Sequence, residues 1–250
     1  MKHKIITALF ILCIIALFVF LYQDKSFFYL LATLIILYLT ITALGSYQIK
    51  WNYFIKSVNE GKPEGISLTF DDGPEPKVTK KILDVLELAG VKATFFLIGK
   101  KAEQYPDIIN LIVSKGHTIG NHSWSHHAGI GMFSKQKLLA DFNQCSQKIE
   151  EITGQTTVYL RPPFGVTNPR YENVLKNTGM KSIGWSIRSF DTSAKNEQKL
   201  LHRITSQLKP GAIVLLHDTK DITLDILPAL LNYCKQNNIA IKPLAELIET

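Results

Sequence analysis

The sequence predicts an α/β domain built on a parallel sheet, open or closed into a barrel, preceded by two membrane-spanning helices. Three observations carry this. Two charge-free apolar runs open the chain, short β-type runs alternate with helical patterns from residue 64 onward, and no segment repeats, so the alternation describes one domain rather than an array.

Residues 5–22 are long enough to cross about 30 Å of hydrocarbon as a helix, and 27–44 is a second such run. Gln23-Asp24-Lys25-Ser26 between them is a polar turn, so 1–46 reads as a helical hairpin with Tyr22, Phe27, Phe28 and Tyr29 near one interface. A cleaved signal peptide is the rival reading, since Ala43-Leu44-Gly45 offers small residues. The charged break and the doubled length argue against it. Lys2 and Lys4 precede the hairpin and Lys50, Lys56 and Lys62 follow it, against Lys25 alone in the turn; positive-inside bias therefore places both ends in the cytoplasm.

Residues 47–63 mix aromatics with lysine and read as a juxtamembrane connector, which puts the start of the catalytic unit at 64 and its end at 250. Within it, strands are expected at 65–70, 93–97, 118–120, 158–160, 182–185, 212–216 and 240–242. Helices fall between them at 78–88, 106–115, 135–153, 169–177, 197–208 and 224–237. Gly90, Gly116 and Gly179 stand just past helix ends, and Pro169 follows Asn168 at a helix start.

Composition narrows the partners. With 46% apolar residues the chain can bury a full core. The formal charge of +7 comes from scattered lysines not clustered with aromatics, which speaks against nucleic acid and reads as a generic excess or as attraction to anionic lipid head groups. Cys13, Cys145 and Cys234 form no Cys-x-x-Cys pair and imply no disulfide framework.

The chemistry is expected at strand ends. Ile66-Ser67-Leu68-Thr69-Phe70 runs into Asp71-Asp72-Gly73-Pro74, and alternation along a strand points the two carboxylates apart, suiting two separate tasks. After the strand at 118–120, His122 and His126 are four residues apart; in a helical turn they would face the same way and grip one metal. Two histidines plus one aspartate leave an open coordination position, the pattern of a catalytic zinc-type site. Arg161-Pro162-Pro163-Phe164-Gly165 delivers a guanidinium at a rigid turn, where its fork could hold a carboxylate. His217, at the end of the buried-type run 212–216, suits a general acid. Each motif alone has a bland alternative, a solvated turn, a core histidine or a surface arginine. A phosphohydrolase with an aspartate nucleophile would need Asp-x-Asp in place of Asp71-Asp72.

In this order, Thr-Phe-Asp-Asp-Gly, His-Ser-x-x-His, Arg-Pro-Pro-Phe-Gly and Leu-x-His, the motifs resemble the NodB-type polysaccharide deacetylases, carbohydrate esterase family 4, across roughly residues 66–241. The resemblance implies a distorted (β/α) barrel and metal-dependent removal of N-acetyl, occasionally O-acetyl, groups from sugars. It implies Asp72, His122 and His126 as ligands of one divalent ion, zinc first, with cobalt, nickel or manganese as alternatives. Asp71 matches the general base, Arg161 its tether, the Phe164 N–H the oxyanion donor, Leu215 the acetyl-pocket wall and His217 the general acid. Trp185 and Asp191 fall in the fourth motif, which departs from the family pattern: Arg188 stands for its first Asp and Thr192 for its Trp. In some members that first Asp hydrogen-bonds the acid histidine, and Asp191 and Asp218 are both candidates to replace it. The implied partners are the membrane and an acetylated carbohydrate, whether polysaccharide, peptidoglycan-like or lipid-linked. Family habit puts such a domain outside the cytoplasm, the lysine distribution inside, where a lipid-linked sugar would be the substrate. A catalytically silent carbohydrate-binding relative is the alternative from another functional class.

Overall fold

Burial on both faces makes the central strands continuous apolar runs, and these build an eight-stranded, wholly parallel sheet. The computed structural model describes residues 2–248; Met1, Glu249 and Thr250, at the outer bounds of the expected hairpin and catalytic unit, lie outside the described residues. The strands are β1 (Ser57–Val58), β2 (Ser67–Gly73), β3 (Thr94–Leu97), β4 (Thr118–Asn121), β5 (Tyr159–Leu160), β6 (Lys181–Ile183), β7 (Ile187–Arg188) and β8 (Ile213–His217). Their order is β1-β6-β5-β4-β3-β2-β8-β7, and the sheet curls into an incompletely closed barrel, with β1 and β7 as its edges.

The helices are α1 (Lys2–Leu21), α2 (Phe27–Tyr47), α3 (Val78–Leu88), α4 (Gly99–Gln104), α5 (Pro106–Ser114), α6 (Lys135–Thr153), α7 (Tyr171–Thr178), α8 (Glu197–Thr205), α9 (Asp221–Gln236) and α10 (Leu244–Ile248). Apolar faces of α3, α5, α8 and α9 pack onto one side of the sheet, where Phe70 and Phe95 stack 5.0 Å apart. Helix starts follow local chemistry: Pro106 opens α5, and the side chains of Ser134 and Asn196 accept from Lys137 N–H and Lys199 N–H to cap α6 and α8.

Three expectations change. Residues 47–63 are not a connector: β1 pairs with β6, and Tyr53, Phe54 and Ile55 are buried with Leu160, Tyr171 and Met180. Of the aromatics in this stretch Tyr53 and Phe54 are core, while Tyr47 and Trp51 stay exposed. The strand expected at 240–242 shrinks to one bridge, Ile66 to Ile241. The helix expected from Pro169 begins at Tyr171, because Asn168 Oδ1 accepts from Arg170 N–H and closes a turn there. The short helices α4 and α10 were too brief to show a period.

The antiparallel pair α1 and α2 is exposed along almost its whole length, and both helices are apolar and long enough to cross a membrane. Thr7 and Tyr38 hydrogen-bond at 3.0 Å and Phe10 stacks on Tyr38 at 4.2 Å, holding the two together.

Candidate metal centre and catalytic cleft

Parallel strands end on the same edge of a sheet, and here that edge collects every motif. Asp71 of β2 is the register partner of His217 of β8, so two residues far apart in sequence sit side by side. His122 follows Asn121 at the end of β4 and Arg161 follows Leu160 at the end of β5, Asn121 and Leu160 being register partners in turn.

The two carboxylates separate as expected, but through a distortion of the strand. The β2–β3 register slips between Asp71 and Gly73, and Asp72 takes a left-handed φ of 74°. Asp71 is nearly fully buried, its Oδ1 2.6 Å from Arg161 Nη1, while Asp72 faces the cleft. The histidines do not lie on a helical turn. Residues 122–127 form an irregular loop in which Ser123 and His126 have φ of 71° and 44°, and Ser123 Oγ accepts from His126 N–H at 3.0 Å. The fold still brings the rings together, 4.9 Å between centroids.

Potential ligand atoms of Asp72, His122 and His126 lie within 4.8 Å of one another. Asp72 Oδ1 is 3.5 Å from His122 Nε2 and 3.2 Å from His126 Nε2. His122 Nδ1 is 2.8 Å from the Arg161 carbonyl, which can only accept, so Nδ1 carries the proton and the Nε2 lone pair is free for a metal. Burial, followed by the neighbouring His122, lowers His126 to about 4, which keeps it in the neutral, ligating form. Burial alone would raise Asp72, but the neighbouring imidazoles of His122, His126 and His217 outweigh it and hold its carboxyl well below the usual range. A carboxylate and two neutral imidazoles converging on one point fit a divalent cation.

Arg161 is fully buried and satisfied on all sides: Nη1 donates to Asp71 Oδ1 and, at 2.9 Å, to Thr69 Oγ1; Nη2 donates to the Gly184 carbonyl at 2.8 Å; Nε donates to that of Ile183 at 3.2 Å. Its plane lies 4.1 Å from the Phe96 ring. Such a guanidinium orients Asp71 rather than binding solvent.

Across the cleft, His217 Nδ1 donates to Asp191 Oδ1 at 2.7 Å, and His217 Nε2 is 3.9 Å from Asp72 Oδ2. Burial opposes the charged imidazole, but the bond and charge of Asp191 outweigh it and raise His217 above its ordinary value. Asp218 turns away into the core and accepts from Thr79 Oγ1 at 2.6 Å, so Asp191 is the partner of the histidine. Asp71, Asp72, His122, His126, Phe164, Trp185, Leu215 and His217 all line or floor one cleft of about 210 Å3; Arg161 and Asp191 stand behind it. Gly165 is obligatory there, with φ of 70° and the Trp185 ring packed where a Cβ would sit.

Supporting residues went unread in the sequence. Asp141 Oδ1 accepts from Trp124 and Ser125 N–H at 2.9 and 3.3 Å and shapes the histidine loop; its signal was a charge inside the apolar stripe Leu138-Phe142-Cys145-Ile149 of α6. Lys101 Nζ donates to the Asp72 carbonyl at 2.7 Å, and Thr223 Oγ1 to Asp191 Oδ2 at 2.7 Å. Neither carried any pattern.

Residues 58–183 match the family model described as polysaccharide deacetylase. The chain belongs to the polysaccharide deacetylase family. Among relatives of this family member, an uncharacterised 30.6 kDa protein of Geobacillus stearothermophilus from the fumA 3' region is 36% identical, over 80% of this chain and 78% of that one. The peptidoglycan-N-acetylmuramic acid deacetylase PdaC of Bacillus subtilis strain 168 is 34% identical over 61% of this chain, which covers only 32% of PdaC. The solved PdaC structure aligns with a TM-score of 0.68 and 28% identity, over 77% of this chain and 92% of that one. BA3943 of Bacillus anthracis, a CE4 family pseudoenzyme, aligns with a TM-score of 0.73 and 25% identity, over 77% of this chain and 68% of that one, and a mutant of it has restored enzymatic activity. The fold therefore hosts both active and silent members.

Proposed function

We propose that this protein is a membrane-anchored, metal-dependent deacetylase that hydrolyses N-acetyl groups on a sugar, with zinc as its preferred ion and its hairpin spanning the bilayer. One observation carries the reading: a three-ligand donor set lies between an arginine-tethered carboxylate and an aspartate-held histidine in a single cleft.

A divalent ion held by Asp72, His122 and His126 would supply Lewis acidity, polarising the acetyl carbonyl and acidifying water. The protein's own groups divide the remaining work. Asp71, immobilised by Arg161, accepts the proton of the attacking water. The Phe164 N–H, presented by a left-handed residue in a rigid Pro-Pro turn, donates to the developing oxyanion. Leu215 and Trp185 form apolar surface against which the acetyl methyl packs and from which bulk water is excluded. Asp191 fixes the His217 ring so that Nε2 faces the cleft and delivers its proton to the departing amine.

The lysine bias around the hairpin supports a cytoplasmic position for the domain, against the family habit of an external one. The test is acetate release from N-acetylglucosamine oligomers and lipid-carried N-acetylglucosamine by the zinc-loaded full chain. Release that disappears with Asp71→Asn supports the reading, and no release from either substrate overturns it in favour of a silent relative.

A further inference from the structure

Three residues at the end of the hairpin hold both walls of the cleft. Ser46 Oγ donates to the Thr167 carbonyl at 2.6 Å, and the Ser46 carbonyl accepts from Thr167 N–H at 2.9 Å. Thr167 follows the turn that presents Phe164 and Gly165, and the Phe164 ring lies tilted against His126 with centroids 4.6 Å apart. On the opposite wall Lys50 Nζ donates to the Ser186 carbonyl, and Arg188 Nη1 donates to the Tyr47 hydroxyl at 3.3 Å. Gly45 packs directly on Tyr53, and His3 N–H donates to the Tyr53 carbonyl at 3.1 Å, so α1 and α2 are both docked onto the domain.

This junction sets the height of the site. The 21 residues of α2 span about 30 Å, the thickness of the hydrocarbon layer, so a membrane-spanning α2 ends with Tyr47 at the interface, where tyrosine is favoured. Arg188 joins Tyr47 to the cleft. Its guanidinium lies 4.9 Å from the half-exposed Phe190 ring and 5.7 Å from Trp185, and among the described residues no carboxylate pairs with it. Arg203 approaches the same Phe190 ring at 5.6 Å. Arg188, at the level of Tyr47 and beside the acetyl pocket, with no carboxylate partner among the described residues, matches a phosphate close to the sugar.

Resting on the deacetylase reading above, we infer that the cleft takes an acetylated sugar carried at the bilayer surface on a lipid phosphate, and that the end of α2 is part of its rim. Arg188 meets the phosphate; Tyr47 is a positioning residue that aims it.

The experiment uses the full chain with zinc in phospholipid vesicles and two substrates, a soluble N-acetylglucosamine tetramer and N-acetylglucosamine joined through diphosphate to a polyprenol in the same vesicles. The expected kcat/KM is at least about 10-fold higher for the lipid-carried sugar, and Arg188→Ala lowers that ratio about 10-fold through KM, as loss of a charge-assisted bond would. Arg188→Lys, which keeps the charge, retains most of the preference, and Tyr47→Phe lowers it about 3-fold. Equal or better turnover of the tetramer overturns the lipid carrier while leaving deacetylation standing. A ratio unmoved by Arg188→Ala overturns the role of the rim. Acetate from neither substrate overturns deacetylation itself, and the inference with it.

Discussion

His217 and Asp191 form a tightly held pair: Nδ1 and Oδ1 are 2.7 Å apart, and the same carboxylate accepts from the His217 and Thr192 N–H groups and the Thr223 hydroxyl. Asp191 thereby supplies from within the altered fourth motif the partner that Arg188 cannot.

A pH dependence follows. Asp191 raises His217 above its ordinary value, so the acid form persists above about pH 6.5 and is lost as pH rises through the raised value. Asp191→Asn removes the charge and leaves the burial, which moves the alkaline limb of the kcat/KM profile to lower pH and reduces the maximum by about 10- to 100-fold. A profile with an unmoved alkaline limb would show that His217 is not the acid.

Asp71→Asn tests the base separately from the metal. Asp71 is not among the three clustered donors, so the variant is expected to bind one equivalent of zinc by elemental analysis while acetate release falls at least about 1000-fold. Loss of metal together with activity would move Asp71 into the ligand set.

Chelation is expected to abolish activity and lower the melting temperature, because an ion that binds only the folded state stabilises it. Zinc, cobalt, nickel and manganese added singly should restore both, zinc at the lowest concentration. His126→Ala should lose the thermal response. A response of equal size in that variant would place the ion elsewhere.

Asp218 carries a stability prediction. Burial lifts its carboxyl to about 7 against the bond from Thr79, so its contribution is complete below pH 3.8 and is lost as pH rises towards 7. Asp218→Asn keeps the Thr79 contact and cannot ionise. Its melting temperature should exceed the parent's by several degrees at pH 8 and by less at pH 5. Parallel stability curves for the two proteins would contradict this.

A reporter fused after Thr250 should be active in its cytoplasmic form, and cysteine labelling at Lys25→Cys should proceed from the opposite side. The reverse pattern would place the cleft outside, facing the wall.

Much was legible in the chain because strands and helices declare themselves by period, and because the ends of parallel strands share one edge. The runs ending at Asp71, Gly120, Leu160 and Leu216 located all four motifs on that edge before any contact was known. The histidine pair was found by spacing, yet the helical turn assumed for it is a left-handed loop, since Asp141 and Ser123 outbid helical hydrogen bonding locally.

Local pattern carried the two apolar helices and the alternation of strands and helices, properties of residues close in sequence, while the expected base, ligands and acid came from the resemblance of the ordered motifs to a family. Only tertiary packing decided that Asp191 and not Asp218 holds His217, that Arg188 turns to Tyr47, and that Tyr53, Phe54 and Ile55 belong to the core. Those choices depend on which of several equally polar or aromatic side chains is nearest once distant segments meet, and no spacing along the chain encodes that distance.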